Sequence, residues 1–227
     1  MEFIVDKTKS IHSQVYEMIK DAIIKLYFAP GQRISEKELS DKLNVSRTPI
    51  REAFIRLSET GLLEVYPQRG TFVTYININD VYEALFVRES LEVTAIQKSM
   101  MKINEQDITL LETIIAEQRK YHREKEREKF YSFDEKYHET LMGISGYTNA
   151  WNIVLSSKLH LDRVRYLNLR SYENFNRLID EHEEVLNAIK AKNVEKAQKK
   201  LSEHISRGAE ESIELISEKY KDYILTK

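Results

Sequence analysis

Apolar residues recur at steps of three and four near the start of the chain: Ile11, Val15, Met18, Ile19, Ala22, Ile23 and Leu26. That spacing predicts an amphipathic helix over 11–27, ended by the turn Ala29-Pro30-Gly31. Ser35, with Glu38 three residues on, has the capping-box pattern and opens a second helix whose Leu39 and Leu43 face inward. Asn44 tolerates the left-handed conformation that lets the chain turn. A third helix starts at Ser46, turns Ile50, Ala53, Phe54 and Leu57 inward, and runs to Thr60-Gly61. Two strand-like runs, 62–66 and 71–75, flank Pro67-Gln68-Arg69-Gly70 and predict a hairpin. Helix, helix, turn, helix and hairpin make a winged helix-turn-helix over residues 1–76.

The pattern then changes. Residues 77–80 read as a connector, with Asn79 or Asp80 capping the next helix. From there helical periodicity continues with almost no strand signal. Six helices are expected near 80–101, 105–124, 127–143, 148–170, 173–191 and 194–219. Breaks fall at Asn104, Gly143 with Gly146, the Ser171 region and Lys192-Asn193. The fold expected is mainly α: the winged helix-turn-helix, then an all-helical bundle over 80–227. Such a bundle is large enough to bury its own core and a ligand cavity.

Composition refines this picture only slightly. Of 227 residues, 41% are hydrophobic and 32% charged, which describes an ordered soluble chain. Six Gly and three Pro suit a helix-rich fold with few tight turns. The formal charge of −2 counts mildly against nucleic-acid binding. Phosphate contacts, however, depend on where the cations sit rather than on their sum. The absence of Cys excludes a disulfide scaffold and a thiolate metal site, and fits a reducing cytoplasm. No stretch approaches the ~18 apolar residues of a membrane span, and the first residues do not read as a signal peptide. A cytoplasmic protein without a membrane partner is expected.

Residues 45–52, Val-Ser-Arg-Thr-Pro-Ile-Arg-Glu, carry the most specific chemistry. Ser46 and Thr48 are helix-capping types, and Pro49 is tolerated in a first turn. Arg47 and Arg51, at i and i+4, share one face of that turn. Cations at a helix N-terminus oppose its dipole, so two arginines there call for an external anion or a base edge. A second cluster is less specific. Asp134 and His138 stand four apart on one predicted helix, a spacing common among surface neighbours. His182 and His204 lie on two later helices, each flanked by apolar positions, where a histidine is often just a core residue. His160 reads as cavity lining or structural, and His12 and His122 as surface positions.

These residues carry a resemblance. The run Ala29-Pro-Gly-Gln-Arg-Ile-Ser-Glu-Lys-Glu-Leu39, then Leu43-Asn-Val-Ser-Arg-Thr-Pro-Ile-Arg-Glu-Ala53, then Gly61-Leu-Leu63 and Gln68-Arg-Gly-Thr-Phe-Val73, resembles the GntR family of bacterial transcription regulators. The remainder resembles the helical, FCD-type effector domain of its FadR-like branch, in the six-helix VanR-like group. Its marks are Arg88-Glu-Ser-Leu-Glu92, Phe133-Asp-Glu-Lys-Tyr-His138, Leu161-Asp-Arg-Val-Arg165 and Asp180-Glu-His182. Tyr27 and Asn44 stand where glycines are usual in the family.

The resemblance implies a DNA-facing set of Lys37, Ser46, Arg47, Thr48 and Arg51, with Arg69 and Gly70 in the wing. Arginine can bridge guanine O6 and N7, while Ser46, Thr48 and the helix-start amides suit phosphate. Gly70 would let the wing approach the minor groove. Arg56 reads as a solvated or backbone-contacting charge. The resemblance further implies a divalent metal held by Asp134, His138, His182 and His204; such N/O donors suit Zn, Ni, Fe or Mn. Arg88 and Arg163 become candidates to pair with a small organic-acid effector, Glu92 being the alternative, structural partner of Arg88. The expected protein is a homodimer on a pseudo-palindromic double-stranded operator, usually a repressor in this family, and no enzyme. A metal-free sensor of acyl-CoA and a metal-dependent hydrolase are the alternatives. Against the latter, no glutamate stands out as a general base.

Overall fold

The computed structural model describes residues 6, 8–171 and 175–225. In the N-terminal part, α1 (Ile11–Ile24), α2 (Glu36–Leu43) and α3 (Arg47–Glu59) pack beside a small sheet of β1 (Arg33–Ile34), β2 (Leu63–Tyr66) and β3 (Gly70–Val73). Val15, Ile19, Ile23, Leu39, Leu43, Ile50, Phe54 and Leu57 form one core, the faces that the periodicity assigned inward. α1 ends earlier than expected. Leu26 takes φ 58, and the Tyr27 and Phe28 N–H groups both turn back to the Ala22 carbonyl, at 2.8 and 3.1 Å.

Ser35 caps α2 by accepting from the Glu38 N–H, but only this half of the capping box forms among the described residues. Asn44 closes α2 at φ 50, ψ 49, the left-handed conformation expected of it. The sheet is antiparallel in the order β1-β3-β2. The hairpin is the expected one, turning through Pro67 and a left-handed Gln68 at φ 61. β1 is new: two residues are too few to show an alternation.

The C-terminal part consists of α4 (Ile78–Lys102), α5 (Glu105–Arg123), α6 (Arg127–Ser145), α7 (Thr148–Ser157), α8 (Leu159–Ser171), α9 (Asn176–Lys190) and α10 (Val194–Lys219). Asn77 caps α4, accepting from the Asn79 N–H at 3.0 Å. Residues 78–80, expected in the connector, are therefore its first turn, and neither Asn79 nor Asp80 is the cap. The single helix expected over 148–170 is two, so seven helices stand among the described residues where six were expected. The Ser156 and Ser157 hydroxyls bond back to the carbonyls of Ile153 and Val154, at 2.9 and 3.0 Å, which competes with the helical ladder. Lys158 then leaves the helix at φ −91, ψ 12, its ammonium 2.6 Å from both Glu135 and Asp162. The break expected near Ser171 and the helix start at 173 fall on or beside residues 172–174, which lie outside the described residues.

The two parts interlock. Leu159 of α8 is buried in the N-terminal core, whereas Leu26 and Ile76 belong to the C-terminal one. Ile76 is also tied to the end of the chain: its N–H donates to the Tyr223 carbonyl at 2.8 Å, and its carbonyl accepts from the Leu225 N–H at 2.9 Å. The peptide between the two parts is thus held by an isolated bridge between Ile76 and Ile224. No helix among the described residues is long and apolar enough to cross a membrane.

Candidate functional site

At the start of α3, Ser46 has the extended N-cap backbone (φ −67, ψ 167), but its hydroxyl makes no cap bond. Ser46, Arg47, Thr48 and Arg51 are all exposed. Among the described residues the helix opens with an uncapped first turn and a cation on the dipole's wrong end, features that weaken a helix and suit an anion. Arg51 is not free: it forks onto Glu36 of α2, Nε to Oε1 at 3.3 Å and Nη2 to Oε2 at 3.2 Å. In solvent such a pair is weak and gives way readily to a stronger anion.

Lys37 is exposed in the first turn of α2. The Arg69 guanidinium lies over the Tyr66 ring, 5.3 Å from its centroid. Gly70 sits at φ 108, and a Cβ there would fall 2.8 Å from Arg33 Nε. Its left-handed φ is what calls for glycine here; the Arg33 side chain is long enough to give way. Arg33, an exposed cation beside the wing, was not singled out from sequence, because a two-residue strand gives no signal. Arg56 stacks on the Tyr16 ring at 3.8 Å, inside its own domain.

The second site forms where α6, α9 and α10 face one another. Asp134 and His138 on α6, His182 on α9 and His204 on α10 are all buried, and their ligand atoms lie within 4.8 Å of one another. Each ring is fixed through Nδ1. His138 donates to Glu92 at 2.6 Å, His182 to Gln118 Oε1 at 2.9 Å and His204 to Glu181 at 2.9 Å. That leaves the three Nε2 atoms for other work. His138 Nε2 is buried without a partner among the described residues. His182 Nε2 stands 3.1 Å from His204 Nε2 and 3.7 Å from Asp134 Oδ1. Two ring nitrogens that close need a proton or a cation between them.

Burial pulls His138 and His182 down from the ordinary imidazole value, His182 strongly, with His204 and His138 beside it adding to the effect. Neutral rings holding Nδ1–H present Nε2 lone pairs, the form in which histidine binds metal. Ligands at ~2.1 Å from one ion are about 3–4 Å apart, as His182 Nε2 is from His204 Nε2 and from Asp134 Oδ1, within a set whose ligand atoms span no more than 4.8 Å. The residues present fit a divalent cation.

Around the cluster the charges are buried and paired. Burial would raise Glu92, but Arg88 and His138 outweigh it and hold the carboxyl at about 2. Arg88 Nε donates to Glu92 at 2.6 Å, the structural pairing named as its alternative. Its Nη2 nevertheless has no partner among the described residues, and it lines a cavity of about 50 Å³ with Asp134, His204, Asn168 and Ser212.

Arg163 does not join it. Fully buried, it points to the domain junction, where Nη2 donates to the Thr74 carbonyl at 2.7 Å and Nη1 approaches the Thr74 hydroxyl at 3.4 Å. The second arginine lining the cavity, beside Arg88, is Arg165, which bonds Asp134 and Glu135 and was missed. The two arginines lie two positions apart, on opposite sides of α8. Leu159, His160, Leu161, Asp162, Arg163, Val164, Tyr166 and Leu167 are all buried, so this stretch of the helix shows no apolar and polar faces from which to take a phase.

His160 lies at the junction of the two parts, 3.3 Å from the Gly61 carbonyl, and is held down at about 4 by burial and Arg163. His12 is exposed against Glu52. His122 is half-buried and edge-on to Phe175, correcting the surface expectation. Gln118 and Glu181, which orient two of the histidines, gave no sequence signal.

An exposed helix start of this kind in a winged helix-turn-helix, joined to an all-helical domain around a His/Asp cluster, defines a DNA-binding transcriptional regulator. The chain belongs to the gntR family of bacterial regulatory proteins: that family's model matches residues 11–73, and the FCD domain model matches residues 81–207. It is similar to the HTH-type transcriptional repressor RspR of Escherichia coli (strain K12), 29% identical over 219 residues that cover 96% of each chain. It is 32% identical over 192 residues to an HTH-type transcriptional regulator in an unstable DNA locus of Streptomyces ambofaciens, across 84% of this chain and 80% of that one. Among solved structures, E. coli McbR/YncC shares the fold, with TM-score 0.79 and 20% identity over 91% of this chain and 99% of the other.

Proposed function

We propose that this regulator is a cytoplasmic, ligand-responsive repressor that binds a pseudo-palindromic operator as a homodimer. Lys37, Ser46, Arg47, Thr48 and Arg51 face the duplex, with Arg69 and Gly70 in the wing. Asp134, His138, His182 and His204 hold a divalent ion, Zn, Ni, Fe or Mn by donor type, and a small carboxylate is the effector. The repressor reading is supported by the likeness to RspR across both chains. A single recognition helix per chain supports the two-fold operator.

The observation that carries ligand response is the double attachment of α8. Arg165 bonds the candidate ligand Asp134, while Arg163 bonds Thr74 and Leu159 is buried in the winged-helix core. A divalent ion held by Asp134, His138, His182 and His204 would offer its remaining coordination positions to a carboxylate oxygen. The cavity of about 50 Å³ has room for only a few water molecules. An effector must therefore draw the Arg165 guanidinium off Asp134, taking it or the Arg88 Nη2 as its counter-ion. Any shift of α8 that follows also moves Arg163 against Thr74 and Leu159 within the winged-helix core. A cavity this small gives no support to an acyl-chain ligand.

Arg163→Met tests the coupling. A carboxylate effector, found by thermal stabilisation, is expected to change wild-type operator affinity about 5- to 150-fold, the usual allosteric range. In the variant that ratio should fall toward one while metal content stays at the wild-type level. An unchanged ratio would refute α8 as the connection.

A further inference from the structure

We infer that small anions reach the His/Asp cluster through the end of the bundle at the α5–α6 turn, past a barrier made by the stacked rings of Phe130 and Phe175. The inference rests on the reading of that cluster as the effector site. Two cavities meet at these rings. The inner one, of about 50 Å³, is lined by Arg88, Asp134 and His204, and also by Phe130 and Phe175. The outer one, of about 180 Å³, is lined by Tyr121, His122, Lys125 and Arg127, and by the same two phenylalanines.

Helical spacing sets one cavity above the other. On α6, Phe130, Asp134 and His138 recur every four residues, so they share a face at steps of about 6 Å. On α5, His122 follows Gln118, the partner of His182, by four. On α9, Phe175 is the N-cap and His182 stands seven residues on. Each of these helices thus supplies one residue to the cluster or its support, and another to the outer cavity, one or two turns nearer the bundle end. Phe130 and Phe175 are 3% and 5% exposed, and their rings stack with centroids 4.6 Å apart at 22°. The His122 ring meets both edge-on, at 6.5 and 5.9 Å. Rings in such contact leave no gap for a carboxylate. Passage requires one of them to swing, and the outer cavity has the space to receive it.

Charge selects what enters. Among the described residues no carboxylate lines the outer cavity, and its Lys125 and Arg127 are both exposed. Arg127 Nη1 donates to the Arg170 carbonyl at 2.6 Å, an uncharged partner. The acids that alternate with these cations along the chain are engaged elsewhere: Glu126 lies 3.7 Å from Lys129, and Glu128 3.3 Å from Lys25. In a chain of formal charge −2, two such cations at an apolar-walled mouth concentrate anions there and repel cations. Behind the rings waits Arg88, whose buried Nη2 has no partner among the described residues. A small carboxylate therefore passes from one cationic group to the next, with the aromatic pair between them.

The chain has no Cys, so Ser212→Cys places a single thiol in the inner cavity, at a position 1% exposed. Its alkylation is timed in the full-length, chelator-treated protein with iodoacetate and iodoacetamide, reagents of similar size that differ in charge. Adding Phe130→Ala should speed both reactions about tenfold, since no stacked pair then has to part. Adding Lys125→Gln and Arg127→Gln instead should slow iodoacetate about tenfold at low ionic strength and leave iodoacetamide unchanged. Ser99→Cys, buried on α4 and lining neither cavity, reports loosening of the bundle. If it quickens equally with Phe130→Ala, the exposed charge variants, which leave the core intact, decide alone. An iodoacetate rate indifferent to those two charges overturns the route, and a Phe130→Ala rate equal to that of its parent overturns the barrier. Neither reagent needs a metal, so a chain that binds no ion leaves this test valid, and its failure leaves the cluster's reading standing.

Discussion

Arg47→Ala is expected to lower affinity for an operator duplex, selected by the wild-type protein from a random pool, by about 10- to 100-fold, the cost of losing one bidentate base contact. Stability should be unchanged or slightly higher. The sign follows from the geometry: Arg47 is exposed in the first turn of α3, where its charge opposes the helix dipole and contributes nothing to the fold. Arg51→Ala should cost at least as much, because it also strips Glu36 of its partner and leaves a bare carboxylate beside the DNA. Affinity for unrelated duplexes should fall much less, since backbone contacts are shared among many cations. Fluorescence anisotropy at one fixed salt concentration measures all three. Wild-type operator affinity in both variants would exclude α3 as the reading helix.

The second large effect is thermal. An ion that binds the folded chain alone stabilises it by about 2.7 kcal/mol at a hundredfold excess over its dissociation constant. For a chain of this size that is a rise of roughly 5–10 °C in Tm. Chelation should remove the rise and added Zn²⁺ or Ni²⁺ restore it. His182→Ala deletes a ligand from the fully buried centre of the cluster. It should melt at one temperature with or without metal, though lower than the chelated wild type because a cavity remains. A metal-induced rise in this variant equal to that of the wild type would place the ion elsewhere.

The N-terminal fold was legible because its signals are local. Proline, glycine and Asn44 punctuate short amphipathic runs, and each inward face depends on one helix alone. The four cluster residues were legible as a set only through the family pattern. Periodicity placed Asp134 and His138 on one face, but joining them to His182 and His204 depends on how three helices pack.

What failed to appear failed for physical reasons. Arg163 and Arg165 are alike in sequence, and α8 is buried nearly all round, so only packing decides which one meets Asp134. The break at Lys158 arises from serine hydroxyls returning to the backbone and from an ammonium reaching Glu135 on another helix, and no glycine or proline announces it. Gln118 and Glu181 act through single hydrogen bonds to histidine rings, and such bonds leave no period in a sequence.

The buried histidines are central, because three rings with their Nδ1 atoms tied and their Nε2 atoms gathered near one carboxylate are arranged for a cation. Elemental analysis of the wild-type protein, purified without chelator and dialysed against metal-free buffer, tests this most directly. One Zn, Ni, Fe or Mn ion per chain is the expected result, with loss of that ion in His182→Ala. Less than about a tenth of an ion per chain, persisting after incubation with each of the four metals, would contradict it.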